Sequence, residues 1–198
     1  MNELIVTRRA ALLGLAALAC LPVLAFSATP APALPGDSVY QLRPALTDQN
    51  GKPFDLAAWR GQPVLISMFY SSCQEVCPMI FETIHLTLAA LTQAQRERVK
   101  VVMITFDPIR DTTAALTRMA KAHHCDAQWT LARPSEADAR KIAAALGVQY
   151  RRLADGDFNH SSSIQLLDAE GRINARTGIL AKVDPAMVQA LQKLLTVS

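Results

Sequence analysis

Ser72-Cys73-Gln74-Glu75-Val76-Cys77-Pro78 places two thiols four residues apart, and Asn159-His160-Ser161 supplies a distant imidazole. Two soft sulfurs and one imidazole make a three-coordinate metal site, and copper suits that donor set best. The same thiols can also serve as a redox dithiol or close a disulfide. Ligation and thiol exchange both run through the thiolate, so what surrounds the sulfurs matters. An apolar run ends just before the pair, and apolar residues at helical spacing follow it. Both cysteines are therefore expected at a helix N-terminus, where unpaired N–H groups and the helix dipole favour negative charge. On a helix, positions i and i+4 face one another with Cβ atoms roughly 5–6 Å apart, so two sulfurs at that spacing can reach one ion. A closed zinc site wants four protein ligands, and two cysteines plus one candidate histidine fall short of it. A disulfide across so short a loop constrains little of the unfolded chain. His160 alone reads more simply as a loop histidine bonded to backbone.

The elements that must position these residues follow from periodicity and punctuation. Residues 46–54 place the turn tripeptide Gln49-Asn50-Gly51 between two short extended runs, as a β-hairpin requires. Residues 56–59 make a brief helical turn ended by Gly61. Residues 64–70 form a nearly continuous apolar run, the mark of a strand buried on both faces. Ile80, Ile84, Leu88 and Leu91 then recur at helical spacing, with Pro78 in a first-turn position that tolerates it. A second buried strand is expected over 99–105, then a loop in which Asp111 caps a helix running to about His124. A short strand at 128–131 precedes a helix capped by Ser135 and stopped by Gly147. Residues 148–153 read as extended and 155–160 as a loop. Strands at 163–167 and 173–177 are joined by a turn at 168–171, and Asp184 caps a last helix burying Met187, Leu191 and Leu194. A βαβ unit followed by a hairpin and a terminal helix is a thioredoxin-like α/β layout, here with an N-terminal β-hairpin extension.

The rest of the chain bounds the function. Its 198 residues are 51% hydrophobic with a net charge of +3, part of it from Arg8 and Arg9, so no basic stripe points to nucleic acid. Residues 1–27 read as an export signal or membrane anchor: charged Thr7-Arg8-Arg9, an apolar run over 10–26, then small residues. That run is near the lower end of the about 17–25 residues that span a bilayer. Residues 28–37, rich in Ala and Pro, read as a linker, and 38–198 as one domain. Cys20 belongs to the leader, which leaves Cys73, Cys77 and Cys125 in a domain expected in the periplasm or anchored to the inner membrane facing it.

Other candidates carry less. His85 reads as a surface or packed residue. His123, His124 and Cys125 are consecutive and point in different directions on a helix, so they do not converge on one ion. Asp107 and Asp111 have no neighbouring base, nucleophile or phosphate loop. Asp107 with Arg110 reads as a loop-fixing pair close to the site. Met68, Met103 and Met187 fall on core-like faces, and Met79 follows the second cysteine closely.

The sequence from about Ser38 onward resembles the SCO/SenC copper chaperones. The resemblance rests on a strand ending in the spaced thiols and Pro78, then Asp107-Pro108-Ile109-Arg110-Asp111-Thr112, then His160-Ser161 before an apolar strand ending at Asp168. It also covers Thr47 to Pro53, Trp129 and Gly147-Val148-Gln149-Tyr150. It implies a thioredoxin-like fold binding one copper ion, Cu(I) or Cu(II), through Cys73, Cys77 and His160. It implies a chaperone, not an enzyme, that helps metallate the binuclear copper centre of cytochrome c oxidase, with subunit II as partner. Some relatives look more like thiol-disulfide oxidoreductases that reduce that centre's cysteines, the alternative for this chain. The family usually has Pro and Asp between the cysteines, Asp before the histidine and an aromatic residue in the strand beyond. This chain has Gln74, Glu75, Asn159 and Gln165 there. Such changes alter the charge and hydrogen bonding around a metal, which makes Asn159 and Asp107 the expected outer partners of the ligands.

Overall fold

The computed structural model describes residues 32–197, so the expected leader and the first part of the linker lie outside the described residues. The chain divides after Pro32, and all that follows concerns the unit beginning at Ala33. Among the described residues no helix is long and apolar enough to cross a membrane. Order is anchored at Ser38, whose hydroxyl donates to the Glu170 carbonyl and accepts the Tyr40 N–H, capping a 3-10 turn over Val39–Leu42. Gly171 lies directly beneath: a Cβ there would come within 2.6 Å of the Tyr40 ring, and its φ of +79° suits glycine alone.

Strands β1 (Leu46–Asp48) and β2 (Pro53–Phe54) form the expected hairpin, with Gly51 at positive φ in its turn. A 3-10 turn over Leu56–Trp59, capped by Asp55, leads to β3 (Val64–Phe69), in which every residue is buried. Helix α1 (Val76–Ala89) inserts Ile80, Phe81, Ile84 and Leu88 into the core, each fully buried side chain worth about 1.5–3 kcal/mol. The short helix α2 (Gln93–Arg96), closed by a capping box at Thr92 and Gln95, leads to β4 (Lys100–Thr105). Helix α3 (Thr113–Ala122), strand β5 (Trp129–Arg133) and helix α4 (Glu136–Leu146) follow, α4 beginning at Ser135 and ending at left-handed Gly147 as expected. Strands β6 (Tyr150–Arg152), β7 (Phe158–His160), β8 (Ile164–Leu167) and β9 (Ile173–Thr177) precede the terminal helix α5 (Pro185–Val197).

Seven strands make one sheet in the order β2-β1-β5-β4-β3-β8-β9. Its centre is parallel, β3 in register with β4 from Val64↔Lys100 to Phe69↔Thr105 and β4 with β5. Strands β8 and β9 add antiparallel on one side, and the β1–β2 hairpin joins antiparallel to β5 on the other. The thioredoxin-like layout with its hairpin extension is thus the fold observed, and β6 with β7 forms a separate two-stranded sheet. Because β3 and β8 are buried at every position, both faces of the sheet are covered there.

Four local expectations are corrected. Asp111 does not cap α3. Thr112 does, having the extended backbone that a cap needs and a hydroxyl accepting the Ala115 N–H at 3.3 Å, while the Asp111 carboxylate turns inward. Residues 155–160 are not all loop, because 158–160 pair with 150–152 around a turn that includes Asp155 and left-handed Gly156. Cys73 lies outside α1, three residues ahead of its first turn. In α5 the deeply buried positions are Met187, Leu191 and Leu195, with Leu194 half-buried, since the chain's last turn faces the core one residue later than expected.

Candidate metal centre

Strand β3 delivers the chain from the middle of the sheet to Tyr70, and the turn that follows carries Cys73. Its N–H donates to the Tyr70 carbonyl at 3.2 Å. Helix α1 then starts without a side-chain cap, since Glu75 makes none. The first N–H groups of a helix need outside acceptors, and the Cys73 sulfur supplies one, accepting the Cys77 N–H at 3.3 Å. The two sulfurs meet because one caps the helix that bears the other, and not because both sit on one helical face.

His160 arrives from β7, cross-strand from Tyr150. Its ring lies edge-on to Tyr70 at 5.6 Å and tilted against Phe106 at 5.2 Å. Nδ1 faces the Ser161 carbonyl at 3.1 Å, a contact made by an N–H there, so Nε2 is the ring nitrogen that remains for another partner. One ligand atom from each of Cys73, Cys77 and His160 lies within 4.8 Å of the others, the one such grouping of metal-binding side chains among the described residues. All three cysteines of the domain are free thiols.

The sulfurs differ in character. Burial pushes the Cys73 pKa up, but the N–H and thiol of Cys77, the Glu75 backbone and the His160 side chain more than offset it and bring the pKa to about 7. Cys77 is fully buried, and burial, reinforced by the charge of Cys73, pushes its thiol far above the ordinary range. A cavity of about 450 Å³ opens over Cys73, with Cys77 buried behind it, and is lined by Ser72, Gln74 and Glu75 on one side and Asp157, Asn159 and His160 on the other.

Three residues hold this arrangement: Asp111, which the sequence offered only as a helix cap, and Tyr70 and Asp157, which it did not single out. The Asp111 carboxylate, 1% exposed, accepts the Ser71 N–H at 3.0 Å and the hydroxyls of Ser71 and Thr105. It ties the cysteine turn to the end of β4. The Tyr70 hydroxyl donates to Asp157 in the β6–β7 turn, joining the hairpin that carries His160 to the end of β3, from which the chain turns to the cysteines. Burial first, then the Asp157 carboxylate and the nearby Cys73, push the Tyr70 hydroxyl up. The same bond, the largest cause, holds Asp157 below its usual range. The Asp155-Gly156 pair between two short extended runs was the available hairpin signal for β6–β7. Nothing local in the sequence marks the inward turn of Asp111 or the role of Tyr70.

The other candidates fall where packing puts them. Asp107 pairs with Arg110 and borders a neighbouring groove, not the cavity over the sulfurs. Asn159 is exposed at the rim of that cavity. His85 binds the His123 carbonyl at 2.8 Å, His123 stacks on Phe81, and burial pushes the Cys125 thiol up to about 12. Met68, Met103 and Met187 are in the core, Met79 is 38% exposed, and Gln165 is buried with its amide nitrogen bonded to the Leu146 carbonyl.

Known proteins are similar to this chain in sequence and fold. A SCO2-like protein of Rickettsia prowazekii is 31% identical over 133 residues, 64% of this chain and 63% of that protein, so the chain spans a little under two thirds of that relative. The structure of ScoI of Bradyrhizobium japonicum with copper bound is 28% identical, covers 76% of this chain and 94% of its own, and superposes with a TM-score of 0.63. The fold is shared by BsSco, described as a member of the Sco family of cytochrome c oxidase assembly proteins with a disulfide switch. That chain is 17% identical, with coverage of 80% and 95% and a TM-score of 0.66. A profile of the SCO1/SenC family matches residues 37–196, and the chain belongs to that family.

Proposed function

We propose that this protein binds one copper ion, as Cu(I) or Cu(II), through Cys73, Cys77 and His160 and hands it to the binuclear copper centre of cytochrome c oxidase, with subunit II as the receiving partner. The observation that carries the reading is the convergence of two sulfurs and one imidazole, drawn from two separate elements, within 4.8 Å. Soft thiolates with an imidazole select copper over hard cations, and three protein ligands leave a closed zinc site incomplete. The copper-bound Bradyrhizobium relative supports the choice of metal, and the description of BsSco supports the oxidase as destination. Copper is here the cargo: a site with three ligands beside an open cavity leaves room for an acceptor's ligand to enter before the first ones leave. Residues 1–27 export the chain or anchor it at the inner membrane, and the domain works in the periplasm.

One observation favours a second reading. Cys73 with a pKa near 7 in front of a buried, protonated Cys77 is the layout of an attacking and a resolving thiol. In that role the Cys73 thiolate attacks a disulfide of the partner, releasing one partner thiolate. Cys77 then displaces the other, so that the partner gains two electrons and this chain becomes the Cys73–Cys77 disulfide. Against it stand the three-residue spacing between the cysteines and the His160-Ser161-Ser162 segment where thioredoxin-type enzymes normally carry a proline. Copper stoichiometry of the purified protein separates the readings. Wild type is expected to hold one copper per chain, and Cys73→Ala, Cys77→Ala and His160→Ala each to lose it. Copper binding in His160→Ala equal to wild type, with undiminished disulfide reduction, overturns the chaperone reading in favour of the reductase.

A further inference from the structure

A second and larger trough of about 640 Å³ runs beside the metal centre, between α4 and the β6–β7 hairpin. Its floor is aromatic: Phe106 and Tyr150 stack at 4.8 Å, and Phe158 packs on Phe106 at 5.2 Å. Phe158 also lines the cavity over the cysteines, and Phe106 touches the His160 ring, so the trough and the metal centre share a wall. The rim is positive. Arg140 on α4 and Arg151 and Arg152 on β6 are all exposed; Arg140 reaches the Tyr150 hydroxyl and Arg152 lies over the Phe158 ring at 5.9 Å, but none forms an ion pair among the described residues. Of the two carboxylates at the trough, Asp107 is already paired with Arg110, which leaves Glu136 alone against three arginines. Strand β6 also pairs with β7 only, so among the described residues its other edge has no strand beside it.

Each feature narrows the occupant. An aromatic floor takes apolar side chains, arginines without a carboxylate partner take carboxylates, and an open strand edge takes an extended backbone by β-augmentation. A concave trough fits a chain segment and excludes a flat bilayer surface. We propose that this trough docks an acidic, extended segment of the protein that receives the metal, alternating carboxylates for the arginines with apolar side chains for the aromatic floor. The identity of the partner rests on the copper-transfer reading above, whereas the chemistry of the segment rests on the trough itself. Docking there brings the partner against the His160 face of the site without touching the sulfurs.

The test uses the full chain, metal-free and in neutral detergent, with a fluorescein-labelled peptide of alternating Glu and Val followed by anisotropy. The peptide is expected to bind, and its Gln-for-Glu counterpart to bind about tenfold more weakly or not at all. Arg151→Glu combined with Arg152→Glu is expected to weaken the acidic peptide by at least about tenfold, as is high salt, because the rim arginines are solvent-exposed. Copper stoichiometry of this variant is expected to equal that of wild type, which also shows that it folds. Equal affinity for the Gln peptide, or binding indifferent to the double variant, overturns the groove. So does binding of phosphatidylglycerol vesicles through the same arginines in the absence of peptide binding. Peptide binding by a wild type that loads no copper upholds the groove and overturns the metal reading. Copper loading without peptide binding does the reverse.

Discussion

Replacing Asp111 by alanine separates two accounts of the loop after β4, because the sequence makes it a helix cap and the structure makes it the internal tie of the cysteine turn. Loss of an N-cap costs about 1 kcal/mol. Loss of the tie costs more. The carboxylate is buried and accepts from one backbone N–H and two hydroxyls. Hydrogen bonds to a charged acceptor contribute about 1.5–3 kcal/mol each, but removing the carboxylate also removes its own burial cost. Of the donors left behind, the hydroxyls can rotate, and Thr105 keeps the Asp107 N–H that it accepts at 3.0 Å. The Ser71 N–H cannot move and is stranded. A net loss of about 3–5 kcal/mol follows for Asp111→Ala, against a domain stability of about 5–15 kcal/mol.

Urea denaturation followed by far-UV circular dichroism measures this, with Thr112→Ala as the control for a true cap. Thr112→Ala is expected to lose about 1 kcal/mol. Asp111→Asn, which keeps the shape and one acceptor, is expected to fall between the two. At about 2–4 °C per kcal/mol for a domain of this size, Asp111→Ala melts at least about 6 °C below wild type. Because Ser71 lies two residues before Cys73, copper affinity in Asp111→Asn is expected to drop about 10–100-fold, the range seen when a ligand's supporting bonds are removed. An Asp111→Ala variant no less stable than Thr112→Ala refutes the tie.

Two further outcomes follow from the same geometry. In metal-free protein, iodoacetamide labelling mapped by peptide mass is expected to rise with pH through about 7 at Cys73, since the reactive thiolate forms above that pKa. Cys77 and Cys125, both pushed up by burial, stay unlabelled well above it, and equal labelling of Cys73 and Cys77 at pH 8 contradicts the assignment. Gly171→Ala drives a Cβ into Tyr40 at 2.6 Å and forces alanine to a φ of +79°, so a loss of at least about 2 kcal/mol is expected in the same urea experiment. A loss below about 0.5 kcal/mol shows that the Val39–Leu42 turn does not close over this position.

The parts of this fold that announced themselves are those governed by local rules. Strand β3 reads as an unbroken apolar run because it is buried on both faces, and α4 shows its limits because Ser135 and Gly147 do a cap's and a stop's chemistry within its own few residues. The cysteine pair was legible for the same reason. What stayed hidden depends on partners far away in sequence. Asp111 sits where a cap belongs, and only the arrival of Ser71 from 40 residues earlier makes its inward orientation better than capping. Strand β7 is three residues long, too short for alternation to register, and is fixed by Phe158 packing on Tyr70 and Phe106. Tyr70 reads as one more apolar residue of a strand until Asp157 is set opposite its hydroxyl, 87 positions on.

The three candidate ligands are held with unequal firmness, and this bears on what the site can do. Both sulfurs belong to the junction of α1 with β3, a strand buried at every position, braced by Asp111 from the loop after β4. The imidazole sits on a two-stranded sheet that is separate from the main one, joined to it through ring contacts and the Tyr70–Asp157 bond. Small units with few buried contacts and solvent-exposed backbone bonds open at a fraction of the global unfolding free energy. On the copper-transfer reading, opening of this hairpin would withdraw one ligand and leave the other two in place, loosening the hold on an ion without disturbing the core. Such a division suits a carrier that must retain its cargo and then give it up better than it suits a permanent structural metal. The arginine-rimmed trough lies against this same hairpin, so a segment docked there contacts the element that carries the imidazole.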